Sequence, residues 1–185
     1  MNETQVNNSI FDISPLIKIT LLSLYFALTI PLPFLSKISA VYLPQWLLWI
    51  ALIIGAIIIY GVLSERVVLT DENISVTYPN WVKIFWRKGW SLNWQEINNL
   101  KLRTTGQGGL VYYFTTEKND RAYLLPMRIA GFAKMVKLVE QKTSIDTSDI
   151  RPLSQPWMYI ILFIFTLFLL LIDVWTIFNV QSLSV

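Results

Sequence analysis

The chain has 185 residues, of which 54% are hydrophobic and 15% are charged, and its mean hydropathy is +0.50. This composition is more apolar than that of ordinary soluble domains and indicates an integral membrane protein. The net charge of +3 is too small to favour nucleic acid as the main partner. Because the chain contains no His and no Cys, disulfides, thiolate nucleophiles and Cys/His zinc or haem sites are excluded.

The N-terminal residues 1–13 form a polar segment without the basic residues that open a signal peptide, so we expect this segment to be retained. Ser14-Pro15 is typical of a helix start, with a hydroxyl cap and proline at the first helical position. Because no charge occurs from Ile19 to Ser36, we expect a first membrane helix from about Leu16 to Ile30. Pro31 and Pro33 then predict a kink or an unwound end.

A second uncharged run completes a transmembrane hairpin over residues 14–63, with its helix beginning at Pro44. The run exceeds the roughly 20 residues that cross a ~30 Å hydrocarbon core. Ala51 and Gly55, four residues apart, permit another helix to approach closely. That neighbour is either the first helix or a helix of a partner.

A third span occupies part of residues 152–185 and is uncharged from Pro152 to Ile172. Aromatic residues lie at both of its ends, as is usual at membrane interfaces. Asp173 follows the uncharged run directly. This carboxylate lies either at the interface or against a helix of another subunit.

Basic residues are concentrated between the second and third spans. Thirteen of the fifteen Lys and Arg residues lie from Ser64 to Arg151, whereas Lys37 is the one basic residue between the first two spans. Cytoplasmic segments next to spans are enriched in Lys and Arg. We therefore expect residues 64–151 and the N-terminus to be cytoplasmic, with the C-terminus across the membrane.

Residues 64–151 contain short β-rich runs separated by turn-forming residues, which predicts an antiparallel sheet. The predicted strands are a hairpin within Arg66 to Tyr78, then Val82 to Trp86, Trp90 to Trp94, Ile97 to Arg103, Leu110 to Thr116 and Arg121 to Leu125. After Pro126, apolar residues recur every three or four positions and predict an amphipathic helix over Ile129 to Thr143. The predicted fold is an α+β barrel or roll, closed by this helix, in an otherwise α-helical membrane protein.

This order of elements resembles the bacterial pleckstrin-homology-like (PH-like) domains of small membrane proteins. The resemblance is carried by Leu69-Thr70-Asp71-Glu72-Asn73-Ile74, by Trp94-Gln95-Glu96-Ile97, and by the long hairpin and closing helix. The layout is also similar to that of photosystem I assembly factors of cyanobacteria and plastids, in which a soluble domain follows a membrane hairpin. Here the similarity is carried by Phe85-Trp86-Arg87-Lys88-Gly89-Trp90, Glu96-Ile97 and Leu125-Pro126-Met127-Arg128. The third span departs from that family. The resemblance implies a cyanobacterial thylakoid or cytoplasmic membrane as the location.

Few residues have a pattern that favours catalysis. The segment Thr104-Thr105-Gly106-Gln107-Gly108-Gly109 is either a flexible hairpin connection or an anion-binding loop beside Arg103, and it lacks the ending of a P-loop. The acids occur in turns, and no base or nucleophile accompanies them. We therefore expect no enzyme activity, no cofactor and no metal.

Three groups of residues are candidate binding surfaces. Trp81, Lys83, Trp86, Arg87, Lys88 and Trp90 combine aromatic and basic side chains, which suit core packing, a membrane surface or a protein partner. Tyr113 belongs to a strand that is apolar on both faces, so one face lies under the helix or against a partner. Lys134 and Lys137 lie on the predicted helix away from its apolar stripe and remain free to meet a client.

These features favour a non-catalytic, membrane-anchored assembly or stabilising factor for a multi-subunit membrane complex. Its partners would be subunits of that complex, bound through the PH-like domain. The alternative is a module that binds anionic lipid surfaces through residues 81–90. An enzyme or transporter is less favoured, because Asp173 is the one charge that the three spans could bury, and it offers no obvious pathway.

The membrane topology is testable with reporter fusions. We expect reporters at Asn2 and within residues 64–151 to report the cytoplasm, and a reporter at Val185 to report the opposite side, because of the Lys/Arg distribution. A reporter at Val185 on the same side as residues 64–151 would contradict both the orientation and the third crossing.

Overall fold

The structure is a computed structural model that describes residues 8–36, 44–85, 88–104, 110–116, 122–148, 150 and 156–183. The chain divides into two compact units. The membrane unit comprises Pro15–Leu63 and Pro156–Val185, and the sheet unit comprises Met1–Ser14 and Ser64–Gln155. The elements in chain order are β1 Ser9–Asp12, α1 Pro15–Thr29, α2 Leu32–Leu35, α3 Gln45–Val62, β2 Arg66–Leu69, β3 Asn73–Thr77, α4 Asn80–Phe85, β4 Trp90–Asn93, β5 Ile97–Thr104, β6 Leu110–Thr116, β7 Ala122–Leu124, α5 Phe132–Thr143 and α6 Pro156–Leu183.

Three segments of the membrane unit are long and apolar enough to cross a bilayer, namely Pro15–Leu35, Gln45–Val62 and Pro156–Asn179. The predicted interruption of the first helix is confirmed, since α1 ends at Thr29 and the short α2 begins after Pro31. Proline has no N–H to donate to the preceding turn, so the helix cannot continue unbroken through it. The third helix extends to Leu183, well beyond the predicted span.

Close contacts between α1 and its two neighbours hold the membrane unit together. The Tyr25 hydroxyl on α1 donates to the Leu52 carbonyl on α3 at 2.8 Å. A Cβ atom at Gly55 would overlap the Tyr25 hydroxyl, so glycine is what allows this approach. Of the two neighbours considered for Gly55, the structure therefore shows the first helix. On the other side, the Thr20 hydroxyl lies 3.5 Å from the Tyr159 carbonyl of α6.

Asp173 lies near the far end of the α6 span, one heptad after the buried Thr166. A spacing of seven returns to the same face of a helix. Its side chain is partly buried, and one carboxylate oxygen is fully covered without a hydrogen-bond partner among the described residues. The two sequence-based alternatives for Asp173 both remain predictions.

The sheet unit contains two antiparallel sheets, one in the order β1-β2-β3-β4 and one in the order β5-β6-β7. The predicted mixture of antiparallel strands and helix is therefore confirmed, whereas of the predicted barrel or roll the closed barrel is wrong. A 3₁₀ turn at Trp94–Glu96 carries the chain from β4 into the second sheet, so β4 and β5 belong to different ladders. The predicted hairpin of β2 and β3 is confirmed, with the Thr70 N–H donating to the Asn73 carbonyl across its turn.

The N-terminal segment contributes a strand that sequence analysis did not predict. β1 pairs with β2 over four residues, from Ser9 opposite Leu69 to Asp12 opposite Arg66. An ion pair of 2.8 Å joins Arg66 to Asp12 across these strands. Residues 9–12 thus belong to the sheet unit, although 51 residues, most of them in the membrane hairpin, lie between Asp12 and Ser64 in the chain.

The predicted strand from Val82 to Trp86 is wrong, because the structure has helix α4 there, ending at Phe85. The Pro79 carbonyl accepts hydrogen bonds from the Val82 and Lys83 N–H groups, which closes the first turn. Val82 is buried, whereas Lys83 and Ile84 are exposed. With one buried residue, the segment is too short for its pattern to distinguish a helix from a strand whose residues alternate between buried and exposed. Trp86 lies outside the described residues.

One hydrophobic core connects both sheets and α5. Phe114 of β6 is completely buried and meets Trp90 of β4 edge to face, with ring centroids 6.2 Å apart. The buried side chains of α5 are Phe132, Met135, Val136 and Val139. The helix begins three residues later than predicted, because Ile129 forms a β-bridge with Ile13 and Gly131 adopts a φ of +75°.

The contact between Tyr25 and Gly55 leads to a test in the membrane unit. Gly55→Val should displace the Tyr25 ring and break its hydrogen bond to Leu52, which lowers the apparent melting temperature of the full chain in detergent. The matched control is Ala51→Val, because Ala51 is exposed on the same helix and has room for the added methyl groups. Equal melting temperatures for the two variants would contradict the packing described.

Candidate functional site

The aromatic and basic residues from Trp81 to Trp90 divide between core and surface. Trp81 and Trp90 are half-buried and pack against the hydrophobic core, and the Trp90 ring lies 5.4 Å from that of Tyr123. Lys83 and Lys88 are exposed. Core packing thus accounts for both described tryptophans, and the two lysines remain available at the surface.

Other predicted residues fall outside the described part of the chain or on a separate element. Trp86 and Arg87 lie outside the described residues, as does most of the Gly-rich loop, residues 105–109. Lys134 and Lys137 are exposed on α5, on the side away from its buried stripe, as the helical spacing predicts. The described candidate residues therefore lie on four elements, α4, β4, β6 and α5, with Lys88 shortly before β4.

Strand β6 presents Tyr113 on the outer face of its sheet. Successive side chains of a strand point to opposite faces, so burial of Tyr112 and Phe114 turns Val111 and Tyr113 outward. Tyr113 lies directly between Lys101 of β5 and Leu124 of β7 in the register of the sheet. Leu124 is 54% exposed, although it is a large apolar residue.

We call the residues Lys101, Arg103, Val111, Tyr113 and Leu124 the outer sheet face. Arg103 lies opposite Val111, two register positions beyond the pair of Lys101 and Tyr113 and therefore on the same face. Both basic side chains are exposed, and Val111 and Tyr113 are half-buried. The outer sheet face therefore combines an apolar centre with a cationic margin.

A cavity of about 260 Å³ continues from the apolar end of this face. Its lining residues are Ile13, Glu65, Val111, Leu124, Leu125, Pro126, Met127, Arg128 and Ile129. Most of these side chains are apolar and buried, whereas Arg128 is exposed. The volume can receive one large apolar side chain of a partner, the arrangement typical of an anchor residue at a protein interface.

The chemistry of this surface suits binding. Lys101, Arg103 and Arg128 provide positive charge, and Glu65 provides the one acidic group among the described residues named here. Across the described residues, no group of three or more Asp and Glu side chains could hold a metal ion. Apolar contact flanked by cations complements a partner surface with an exposed apolar side chain and nearby carboxylates.

Sequence analysis identified Tyr113 but missed Leu124 and the cavity. The alternation of side chains along β7 could have predicted the position of Leu124. Tyr123 and Leu125 face the core, so Leu124 between them faces outward. The cavity could not be found in this way, since Ile13 comes from the segment before the spans and Val111 from a distant strand.

Two neighbouring leucines test which side of β7 is available. Leu125 is 1% exposed, so Leu125→Ala should destabilise the sheet unit by about 2–5 kcal/mol. Leu124→Ala should change stability by no more than about 0.5 kcal/mol, because its side chain is largely exposed. Denaturant unfolding of the two full-length variants measures the difference. A comparable loss of stability in both would show that Leu124 is part of the core.

Comparison with known proteins gives one informative relationship. The chain is 55% identical, over 161 residues, to the uncharacterized protein slr0269 of Synechocystis sp.. The match covers 86% of this chain and 81% of that protein, so it includes most of both units. No family model and no solved structure matches the chain. At this identity and coverage, the chain belongs to the same cyanobacterial membrane protein family as slr0269.

Proposed function

We propose that this protein is a non-catalytic, membrane-anchored factor that assembles or stabilises a multi-subunit membrane complex. The PH-like sheet unit binds the client, and the three spans hold it in the membrane. The single observation that carries the proposal is the row of Lys101, Tyr113 and Leu124 on the outer sheet face, in which Lys101 and Leu124 are exposed and Tyr113 is half-buried. A strand whose other face fills the core has no structural need for apolar residues on this side.

The composition of the outer sheet face supports a protein as its ligand. Tyrosine and basic residues are common at interfaces, and the cavity beside Leu124 offers a place for an anchoring side chain. Lys101 and Arg103 favour a client surface that carries carboxylates. Such a surface needs no catalytic group in order to act.

The location and the client class also belong to the proposal. A cyanobacterial relative and the layout shared with photosystem I assembly factors favour a complex of the thylakoid or cytoplasmic membrane, with photosynthetic complexes as the first candidates. In this arrangement the sheet unit lies in the cytoplasm.

Co-purification tests the proposed surface. A tagged chain that carries Lys101→Glu and Leu124→Ser, purified from the native membrane in mild detergent, should recover several-fold less of the client complex than wild type. The reason is loss of apolar contact together with charge repulsion. Quantitative mass spectrometry measures the recovery. Because both side chains are exposed, the amount of the variant and its melting temperature should stay unchanged.

The α5 lysines, which are also exposed, provide a comparison variant. Lys134→Glu and Lys137→Glu together reverse two charges on another element. Loss of the client with this variant, and not with the variant of the outer sheet face, would move the binding surface to α5. A deletion strain with normal amounts of every membrane complex would overturn the assembly function itself.

A further inference from the structure

A second surface of the sheet unit, distinct from the outer sheet face, brings hydroxyl and ammonium groups together. It is a cleft of about 450 Å³ on the first sheet. The lining residues are Ser75, Val76, Thr77, Lys83, Lys88, Gly89, Trp90 and Ser91. Every polar side chain among these described residues carries a hydroxyl or an ammonium group, and none is acidic.

Strand register places the hydroxyl groups side by side. Ser75 of β3 lies directly opposite Ser91 of β4. Both residues face away from the core, because Ile74, Val76 and Leu92 are buried on the other side. Opposed residues of adjacent strands have Cβ atoms roughly 5 Å apart, so one small ligand can contact both hydroxyls.

The connection between β3 and β4 brings the two lysines to the same cleft. Lys83 is exposed on α4, and Lys88 precedes Gly89. A Cβ atom at Gly89 would overlap the Val76 carbonyl oxygen, so only glycine lets this backbone lie directly against β3. That close approach places Lys88 beside the cleft.

The nearby charges leave the cleft electropositive. Arg66 of β2 lies opposite Thr77, and Asp12 of β1 pairs with it at 2.8 Å. The negative charge of Asp12 is therefore neutralised by Arg66. Lys83 and Lys88 have no such counter-ion among the ion pairs described, so the charge at the cleft favours an anion.

We propose that this cleft binds a phosphate ester, with Lys83 and Lys88 neutralising the phosphate and Ser75 and Ser91 donating hydrogen bonds to its oxygens. The Ser75 hydroxyl donates a long hydrogen bond of 3.4 Å to the Val68 carbonyl, and rotation of the hydroxyl exchanges this bond for one to the phosphate. Charge-assisted hydrogen bonds to phosphate are stronger than neutral ones, and hydroxyls supply donors that fix its position. The volume exceeds that of a phosphate group alone and admits the glycerol of a lipid headgroup or of a soluble ester. The site is independent of the proposed client surface.

The test uses the full chain purified in a non-ionic detergent. The soluble arm titrates sn-glycerol 3-phosphate by calorimetry, with glycerol as the uncharged comparison. The lipid arm measures the melting temperature in micelles that contain phosphatidylglycerol or an equal amount of phosphatidylcholine. Binding of sn-glycerol 3-phosphate would show that a free phosphate ester is sufficient for binding. A higher melting temperature with phosphatidylglycerol than with phosphatidylcholine, without binding of the soluble ester, would identify a lipid headgroup as the ligand.

Two double variants and one control distinguish a specific phosphate site from nonspecific electrostatic attraction. Lys83→Gln with Lys88→Gln should weaken binding about tenfold or more, whereas Lys134→Gln with Lys137→Gln removes the same charge from α5 and should leave it unchanged. Ser75→Ala with Ser91→Ala should weaken binding severalfold at constant charge, and an unchanged melting temperature without ligand shows that the fold persists. The proposal is overturned if neither arm shows binding, if both lysine pairs have equal effects, or if the serine variant binds like wild type.

Discussion

The buried face of the second sheet is the constraint on which the rest of the sheet unit depends. Phe114 is fully enclosed between Trp90 of the first sheet and the neighbouring strands, and Met135 of α5 is equally buried in the same cluster. Because the side chains on this face of β6 pack in the core, the alternation of side chains along the strand places Tyr113 on the outer face. The availability of the proposed client surface is thus a direct consequence of core packing.

The N-terminal strand completes the first sheet of this unit. β1 covers the edge of β2, and Ile13 continues into a bridge with Ile129 just before α5. The Ser14 N–H donates to the Arg128 carbonyl, and the Ala130 N–H donates to the Asp12 carbonyl. These bonds satisfy backbone groups that an exposed sheet edge would leave unpaired. A segment at the start of the chain thereby completes a unit formed largely after the hairpin.

The two proposed binding surfaces differ in physical character. The outer sheet face has an apolar centre with basic residues around it, which suits a protein surface. The cleft on the first sheet has hydroxyls and two lysines over a small volume, which suits a single phosphate group. Each surface can be altered without the other, because the outer sheet face belongs to β5, β6 and β7, whereas the cleft is formed by β3, β4, α4 and the residues just before β4.

The sequence by itself determined the three apolar spans, the interruption at Pro31, the hairpin of β2 and β3, and the amphipathic α5, because each depends on local composition or periodicity. Tyr113 was identified for the same reason. Only the tertiary structure decided that β1 joins β2, that α4 is helical and that the two sheets do not close into a barrel. The arrangement of the sheets depends on pairing between residues far apart in the chain, such as Phe11 with Val67, and no local pattern predicts such pairing. Helix α4 is local, but a segment with one buried residue, Val82, is too short for its pattern to distinguish a helix from a strand. The cavity beside Leu124 and the cleft beside Lys88 follow from the same long-range contacts.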